Sequence, residues 1–261
     1  MGRFRNLIIP GVDKQLLVKD ATKIMPDMAR RRFIAGGASL GALTMLTGCD
    51  VTDSFSADTM LANISKFNDA VQAAMFNPNA LAPTYKESDI KRPFPFNAYF
   101  DEDDAPRIDG EKWYMETSGL VETKKRFTLA EFKAMPQQKQ ITRHICVEGW
   151  SAIGSWTGVR LSDFLKLIGA DTKAKYIFFR CADGEGYTTT LDMPTALHAQ
   201  TQMTLQFDDK ELPVGFGYPM KIRVPTKLGF KNPKWVYAME VTNTYRGGYW
   251  ENQGYNDFSG S

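Results

Sequence analysis

The stretch that decides the fold runs from Gln140 to Trp150 and reads QITRHICVEGW. Its first seven residues are rich in β-branched side chains, which is typical of a strand, and Gly149 follows as a turn signal. Cys146 therefore stands at the end of a strand, in the segment Arg143 to Trp150. A chemically reactive residue type at that place is a candidate for a functional site.

Short strands and short helices alternate on both sides of this stretch. Thr128 can cap a helix that runs through Met135, and a helix from Ser162 to Ile168 ends at Gly169, which favours the left-handed stop. No glycine-rich nucleotide-binding pattern and no internal repeat is present. The pattern predicts an α+β protein with a mainly β, mixed-sheet core and short helices. The further strands predicted are 113–117, 175–181, 187–192, 220–225 and 235–242.

The region upstream of the core has a different character. Apolar residues at helical spacing predict a helix from Asp58 to Phe76, and residues 77–109 are rich in proline and acidic residues, which predicts an extended arm. The sequence is therefore divided into residues 1–48, residues 49–110 with the helix and the arm, and a domain at 111–261.

Residues 1–48 have the features of an export signal. Arg30, Arg31 and Arg32 precede an apolar, small-residue run that ends in Leu-Thr-Gly-Cys49. The run is too short to span a bilayer, and its glycines disfavour the alternative of a buried helix. The arginines resemble a twin-arginine signal. The last four residues resemble a lipobox, so we expect a periplasmic protein, with Cys49 either lipidated or simply a small buried residue.

Charge and composition exclude several classes of function. Residues 1–48 carry eight Lys or Arg against three Asp, a net +5, which leaves −3 for the rest of the +2 chain. A mildly acidic body without a long basic run argues against nucleic acid as a partner. The chain has two histidines, three cysteines and no Cys-x-x-Cys motif, which excludes zinc ribbons, covalent haem and three-histidine metal sites. A redox metal must therefore obtain most of its ligands from a cofactor.

Cys146 can be interpreted in three ways. Arg143 and His144 next to it should favour the thiolate, which is the state that a soft metal binds. A single cysteine is more often an inert core residue. In an oxidising compartment, a disulfide between Cys146 and Cys181 is the other alternative.

The order of motifs around Cys146 favours the interpretation of this cysteine as a metal ligand. Cys-x-Glu-Gly-Trp is followed by Trp156-Thr-Gly-Val-x-Leu, Ala182-Asp-Gly with Tyr187, Gly217-Tyr-Pro-Met-Lys-Ile-Arg-Val-Pro, Gly229-Phe-Lys-Asn-Pro-Lys-Trp and Gly248-Tyr-Trp-Glu-x-x-Gly-Tyr. This succession resembles the molybdopterin-binding domain of the sulfite oxidase family, over about residues 94–258, and its exported bacterial branch in particular. The resemblance implies that family's fold, and molybdenum held by one molybdopterin together with the thiolate of Cys146.

The resemblance also implies which residues hold the cofactor. A basic cradle for its phosphate would come from Lys227, Lys231, Asn232 and Lys234, a segment that could otherwise be a solvated loop. Lys221 stands where relatives usually have Arg, and Phe100 and Asp101 stand where the methionine-sulfoxide-reductase branch has Tyr and Glu. The remaining candidates are Asn97, Arg143, His144 and Cys181.

Glu148 indicates whether the substrate is anionic or neutral. Sulfite-oxidising relatives place an arginine shortly after the cysteine, whereas a carboxylate here should repel an anion. A protonatable carboxyl suits a small neutral S-oxide or N-oxide, since a proton accompanies oxygen removal. Alternatively, Glu148 only bonds to the Trp150 region. Tyr187 could donate a hydrogen bond at the metal, or be an ordinary strand residue.

The expected activity is therefore two-electron oxygen-atom transfer by a molybdenum oxidoreductase. The sequence contains no recognisable haem motif or flavin pocket, so electrons should come from a separate cytochrome or a membrane quinol-linked haem subunit. Sulfite dehydrogenation is the alternative enzyme activity. A lipid-tethered binding module that has lost catalysis is the alternative from another class.

Overall fold

The computed structural model describes residues 57–98 and 100–260, with side chains from residue 64 onward. The chain divides into two compact units, residues 1–75 and residues 76–261. Helix α1 (Ala57–Met75) belongs to the first unit and agrees with its predicted bounds to within one residue. The predicted export signal at 1–48 and Cys49 lie outside the described residues. None of the helices that the structure describes is long and apolar enough to cross a membrane.

The larger unit contains two five-stranded sheets. In the first sheet the order is β2-β1-β10-β5-β6, with β1 and β10 parallel and all other neighbours antiparallel. Its strands are β1 (Tyr114–Gly119), β2 (Arg126–Thr128), β5 (Tyr176–Cys181), β6 (Thr188–Asp192) and β10 (Val236–Thr242).

The second sheet is entirely antiparallel. Its order is β3-β4-β7-β8, and β9 also pairs with β7. Its strands are β3 (Gln138–Ile145), β4 (Ser151–Arg160), β7 (Gln202–Phe207), β8 (Lys210–Glu211) and β9 (Lys221–Arg223).

Short helices connect the strands. Helix α2 (Leu129–Ala134) begins at a capping box in which Thr128 and Glu131 bond to each other's backbone N–H. Helix α3 (Leu161–Leu167) is followed by Gly169 with φ of +60°, the predicted left-handed stop. Helix α4 (Met193–Ala196) is a single turn. Within the described residues there are also five 3-10 turns: Glu87–Asp89, Glu102–Asp104, Val214–Phe216, Gly229–Lys231 and Glu251–Gln253.

One hydrophobic core spans both sheets. It includes the fully buried Phe132, Phe164 and Phe179, and the indole N–H of Trp113 donates to the Val236 carbonyl at 3.1 Å. Burial of apolar area at this scale is the dominant favourable contribution to folding. The prediction of an α+β protein with a mainly β core is confirmed.

The arm predicted over residues 77–109 covers the outer edge of β3. Thr84 forms a bridge with Thr142, and the Tyr85 N–H donates to the Ile141 carbonyl at 3.1 Å, both on β3. Further along the arm, the Lys91 N–H donates to the Ile153 carbonyl on β4 at 2.9 Å. The arm thereby occupies backbone groups that would otherwise lie open on an edge strand.

Candidate active site

Cys146 lies in the tight turn that joins β3 to β4. Its N–H donates to the Trp150 carbonyl at 2.9 Å, and its carbonyl accepts from Gly149, whose φ of +90° favours glycine. The thiol is buried and free, and so is the thiol of Cys181. The alternative of a disulfide between the two cysteines is therefore wrong.

The Cys146 side chain faces an open cleft of about 820 Å³, counting the part that is open to solvent. Main-chain and side-chain groups from five loops meet there. Besides Cys146, the cleft is lined by Asn97, Ala98, Phe100, Val147, Glu148, Asp183, Tyr187, Gly229, Phe230, Asn232, Pro233, Lys234, Trp235, Trp250 and Tyr255.

The surroundings of the thiol differ from the expectation that Arg143 and His144 would favour its thiolate. Burial raises the pKa of Cys146, and the neighbouring Glu148 carboxylate raises it further. Alternation along β3 points Arg143 outward, where its guanidinium lies 5.3 Å from the centre of the Tyr85 ring. Burial lowers the pKa of His144 well below its ordinary value, so this imidazole is neutral. A bound metal must therefore displace the thiol proton itself.

Glu148 is exposed on the cleft and accepts a hydrogen bond from the Trp150 indole N–H at 2.9 Å. This hydrogen bond is the one predicted by the alternative in which Glu148 only bonds to the Trp150 region. It fixes the direction of the carboxylate, which lines the cleft beside Cys146.

Buried cations cluster near Cys146. Lys221 and Arg223 on β9 are 2% and 0% exposed, and Lys234 is 8% exposed. Burial lowers the pKa of all three, to about 7 for Lys234. Among the residues that the structure describes, no carboxylate lies within ion-pair distance of any of the three. Buried positive charge without a protein anion is suited to an anionic cofactor.

Lys234 and Asn232 line the cleft, as the predicted cradle requires. The Lys234 ammonium donates to the carbonyls of Asn97 and Gly215 at 2.5 and 2.8 Å. The Asn232 side-chain oxygen accepts from Arg223 at 2.8 Å and from the Val224 N–H at 2.7 Å.

Lys227 and Lys231 do not line the cleft, and their ammonium groups bind elsewhere in the protein. Lys231 forms a buried ion pair with Glu251 at 2.5 Å. Lys227 lies 3.4 Å from an Asp192 oxygen and 2.8 Å from the centre of the Phe258 ring. Of the four residues of the predicted basic cradle, the structure therefore places only Asn232 and Lys234 at the cleft.

The arm contributes Asn97, Ala98 and Phe100 to the cleft. The Asn97 side-chain nitrogen lies 3.3 Å from the His144 ring, and the Phe100 ring is 5.6 Å from Trp235. Asp101 is exposed at the start of a 3-10 turn and does not line the cleft.

Tyr187 lines the opposite side, where its hydroxyl donates to the carbonyl of Phe230. Asp183 accepts from the N–H groups of Gly186 and Tyr187 at 2.9 and 3.0 Å and so shapes this loop. Cys181 is buried behind the loop, outside the lining, and burial raises its pKa well above the ordinary value.

The aromatic wall of the cleft, formed by Phe230, Trp250 and Tyr255, is not among the site residues predicted from the sequence. Trp250 and Tyr255 come from one short segment, with ring centres 5.0 Å apart, and the Tyr255 ring is 5.5 Å from Phe230. The signal that could have found them was present in the motif Gly248-Tyr-Trp-Glu-x-x-Gly-Tyr.

The residues present fit a metal that arrives with most of its own ligands. Within residues 57–98 and 100–260 there is no group of three His, Cys, Asp or Glu side chains that could hold a metal ion. The protein instead offers one free thiol at the cleft, with buried cations near it.

Comparison with known proteins agrees with this geometry. A family model described as oxidoreductase molybdopterin binding domain matches residues 102–250. The chain is 54% identical over 243 residues to YedZ1 of Azospira oryzae, named as a candidate protein-methionine-sulfoxide reductase subunit, covering 93% of this chain and 92% of the relative. It is 27% identical over 236 residues to the protein-methionine-sulfoxide reductase catalytic subunit MsrP of Ralstonia nicotianae, covering 82% and 69%.

Among solved structures, the sulfane dehydrogenase SoxCD from Paracoccus pantotrophus matches with a TM-score of 0.51 and 19% sequence identity. The match covers 54% of this chain and 40% of the SoxCD chain, and it shows a shared fold. From the family match, the relatives and the site together, the chain belongs to the oxidoreductase molybdopterin-binding domain family, the sulfite oxidase family, and is a molybdenum-dependent oxidoreductase.

Proposed function

We propose that this protein is an exported reductase that removes an oxygen atom from a small neutral S-oxide or N-oxide, with a sulfoxide as the favoured substrate class. The observation that carries the proposal is the lining of the cleft. Around the Cys146 thiol it presents aromatic walls, the Glu148 carboxylate and a single cation, Lys234, and none of the described lining residues is an arginine. Such a lining suits a neutral, polarisable substrate better than an anion.

The proposed cofactor residues follow from the same geometry. Cys146 is the protein's ligand to molybdenum, and Asn232 and Lys234 with the backbone near Gly229 hold the pterin and its phosphate. Lys221 is buried outside the lining and adds positive charge near Cys146. When bound, the cofactor supplies two-electron oxygen-atom transfer, and the protein positions it and sets the local field.

Glu148 is the proposed proton carrier. Its carboxylate is exposed on the cleft and its direction is fixed by the Trp150 indole, so it can deliver a proton where the substrate oxygen leaves. Tyr187 keeps its hydroxyl on the Phe230 carbonyl and is proposed as a further donor only when substrate or cofactor draws it away.

The names of the relatives support sulfoxide chemistry. YedZ1 and MsrP are both named for protein-methionine-sulfoxide reduction, and each is named as a subunit. We propose accordingly that electrons arrive from a separate partner, a cytochrome or a membrane quinol-linked haem subunit. The twin-arginine-like residues 30–32 and the lipobox at Cys49 support export to the periplasm and a lipid anchor.

A substrate comparison tests the activity. The cofactor-loaded protein, reduced with a viologen dye, should turn over methionine sulfoxide or dimethyl sulfoxide. Sulfite with a cytochrome acceptor should give little turnover. Robust sulfite oxidation would overturn the substrate assignment, and protein isolated without stoichiometric molybdenum would favour the binding module.

A matched pair of variants tests Glu148. Glu148→Gln should lower kcat by about 100-fold, since general acid catalysis contributes on this order. Glu185→Gln removes an exposed carboxylate from the neighbouring loop, outside the cleft lining, and should keep wild-type kcat. Equal activity of both variants would restrict Glu148 to its hydrogen bond with Trp150.

A further inference from the structure

The Lys231–Glu251 ion pair is more deeply buried than any other described pair. Its side chains are each 1% exposed, and the ammonium nitrogen lies 2.5 Å from the carboxylate oxygen Oε1. Burying two charges costs free energy that close pairing and added hydrogen bonds only offset. Stability alone therefore does not explain why this buried ion pair lies next to the cleft.

The pair joins three parts of the chain. The Lys231 ammonium also donates to the Thr190 carbonyl at 3.1 Å, and the Thr189 hydroxyl donates to Glu251 Oε1 at 2.6 Å. Both threonines lie on β6, an edge strand of the first sheet. Lys231 belongs to the 3-10 turn Gly229–Lys231, and Glu251 belongs to the C-terminal segment.

That C-terminal segment is otherwise tied to β6 by few bonds. The Thr190 hydroxyl donates to the Gly247 carbonyl at 2.6 Å, and the Tyr249 N–H donates to the Thr188 carbonyl at 2.9 Å. A Cβ at Gly248 would lie 2.3 Å from Glu251 Oε2, so the segment leaves room for this carboxylate only because residue 248 is glycine.

The residues beside the pair form the aromatic wall. Phe230 precedes Lys231, and Trp250 precedes Glu251, and both aromatic side chains line the cleft. Tyr255 closes the wall, with its N–H bonded to the Trp250 carbonyl at 3.1 Å. The pair thus fixes the distance between the two backbone segments that carry the wall.

We propose that Lys231 and Glu251 are positioning residues, which set the aromatic wall for substrate binding and do not hold the cofactor. This inference rests on the proposed function, because the wall is taken to bind the oxo-substrate. Lys231 acts through Phe230, and Glu251 acts through Trp250 and Tyr255.

A cofactor role and a positioning role predict different results for Lys231→Met. If Lys231 held the cofactor phosphate, this variant would be isolated with much less molybdenum and pterin, and Glu251→Gln would not. If the pair positions the wall, both variants keep wild-type molybdenum and pterin content. Both should then raise KM about 5- to 10-fold with little change in kcat, the size expected for loosened apolar contacts.

A gentler pair of variants covers the case in which an unpaired buried charge prevents folding. Thr189→Val removes the hydroxyl that bonds to Glu251 and should raise KM in the same direction. Thr188→Val is the matched control, because Thr188 lies next to it on β6 and no described side-chain hydrogen bond uses its hydroxyl. The double variant Lys231→Met/Glu251→Gln leaves no lone charge and should recover part of the lost affinity.

A readout without turnover keeps this test separate from the proposed function. The protein has five tryptophans, and ¹⁹F spectra of fluorotryptophan-labelled protein can follow each one, with Trp250 assigned by Trp250→Phe. Glu251→Gln and Thr189→Val should shift the Trp250 resonance and leave that of Trp113, in the core, unchanged. An unmoved Trp250 resonance with unchanged KM would overturn the proposal, and so would loss of molybdenum in Lys231→Met. If the wild type shows no sulfoxide turnover, the proposed function fails, whereas the spectra still decide whether the pair positions Trp250.

Discussion

Cys146 and Cys181 are both buried and both free, and they differ in what lies in front of the sulfur. Cys146 faces the cleft, while Cys181 ends a strand inside the protein. In the metal-free protein both thiols are held protonated, because burial raises the pKa of each. Access to the cleft, and not an activated thiolate, therefore distinguishes Cys146 as the proposed metal ligand.

Replacing Cys146 tests its role directly. Cys146→Ser should lower turnover by more than about 1000-fold, since a hard hydroxyl replaces the soft thiolate ligand. Circular dichroism and thermal unfolding should remain close to wild type, because the change is nearly isosteric. Cys49→Ser provides the control: it should release the protein from membranes without lowering turnover. Undiminished activity in Cys146→Ser would exclude a metal-ligand role.

Lys234 gives the cofactor-free protein a characteristic pH dependence. Burial lowers its folded-state pKa to about 7, below that of the unfolded chain, so between these values the unfolded state binds more protons. The free energy of unfolding should therefore rise from pH 7 to 9, by at most about 1.4 kcal/mol per pH unit for this lysine.

Denaturant titrations at several pH values measure this slope. Lys221 contributes in the same direction, since burial lowers its pKa too, so Lys234→Met should make the slope shallower without abolishing it. An identical slope in wild type and Lys234→Met would show that Lys234 is charged in the folded protein at pH 7 to 9. Above pH 9 the buried cysteines oppose the trend, because their folded-state pKa values are raised.

At the scale of single elements, the helix and strand boundaries that can be predicted are those marked by residues next to them in the sequence. The Thr128 cap of α2 and the glycine that ends α3 lie within a few residues of the helices they delimit, and the sequence predicts both. Strand β4 was missed because its glycines break the apolar alternation. They are required by packing: a Cβ at Gly158 would lie 2.1 Å from the Met203 carbonyl oxygen.

Strand β7 was missed for a different reason. Gln202 and Thr204 are buried, so its pattern does not separate an apolar face from a polar one. Their polar groups are satisfied within the core, where Gln202 accepts from Gln140 at 2.6 Å and donates to Thr204 at 3.0 Å. In the site, Lys231 has its acidic partner 20 residues away, and no local pattern could show that pairing.

Gln200, in the turn before β7, binds the arm through its side chain, and this contact can be tested. Gln200 is buried, accepts from the Ala82 N–H at 2.7 Å and donates to the Ala82 carbonyl at 3.0 Å. Gln200→Ala leaves both backbone groups without these bonds and should lower the free energy of unfolding by about 1–3 kcal/mol. Gln206→Ala, at an exposed position of β7, should change it by less than about 0.5 kcal/mol. Equal values for both would mean that water replaces Gln200 at no cost.

At the scale of the whole molecule, the cluster of buried cations links cofactor binding to stability. Without an anion, Lys221, Arg223 and Lys234 are desolvated near one another. Protein produced in cells that cannot make molybdopterin should therefore unfold at least about 5 °C below the loaded protein in a thermal melt. Coinciding melting curves would show that the cations are already compensated in the empty protein.

The two ends of the larger unit meet. The ring centres of Phe76 and Phe258 are 5.5 Å apart, and the Lys227 ammonium lies close to both. A short linker between these ends could close the chain, and new termini could then be opened in a surface loop away from the cleft, such as the turn between β7 and β8. In such a circular permutant the new ends would lie away from Lys227. A reporter could then be fused to these new ends without disturbing the contact between the Phe76 and Phe258 rings.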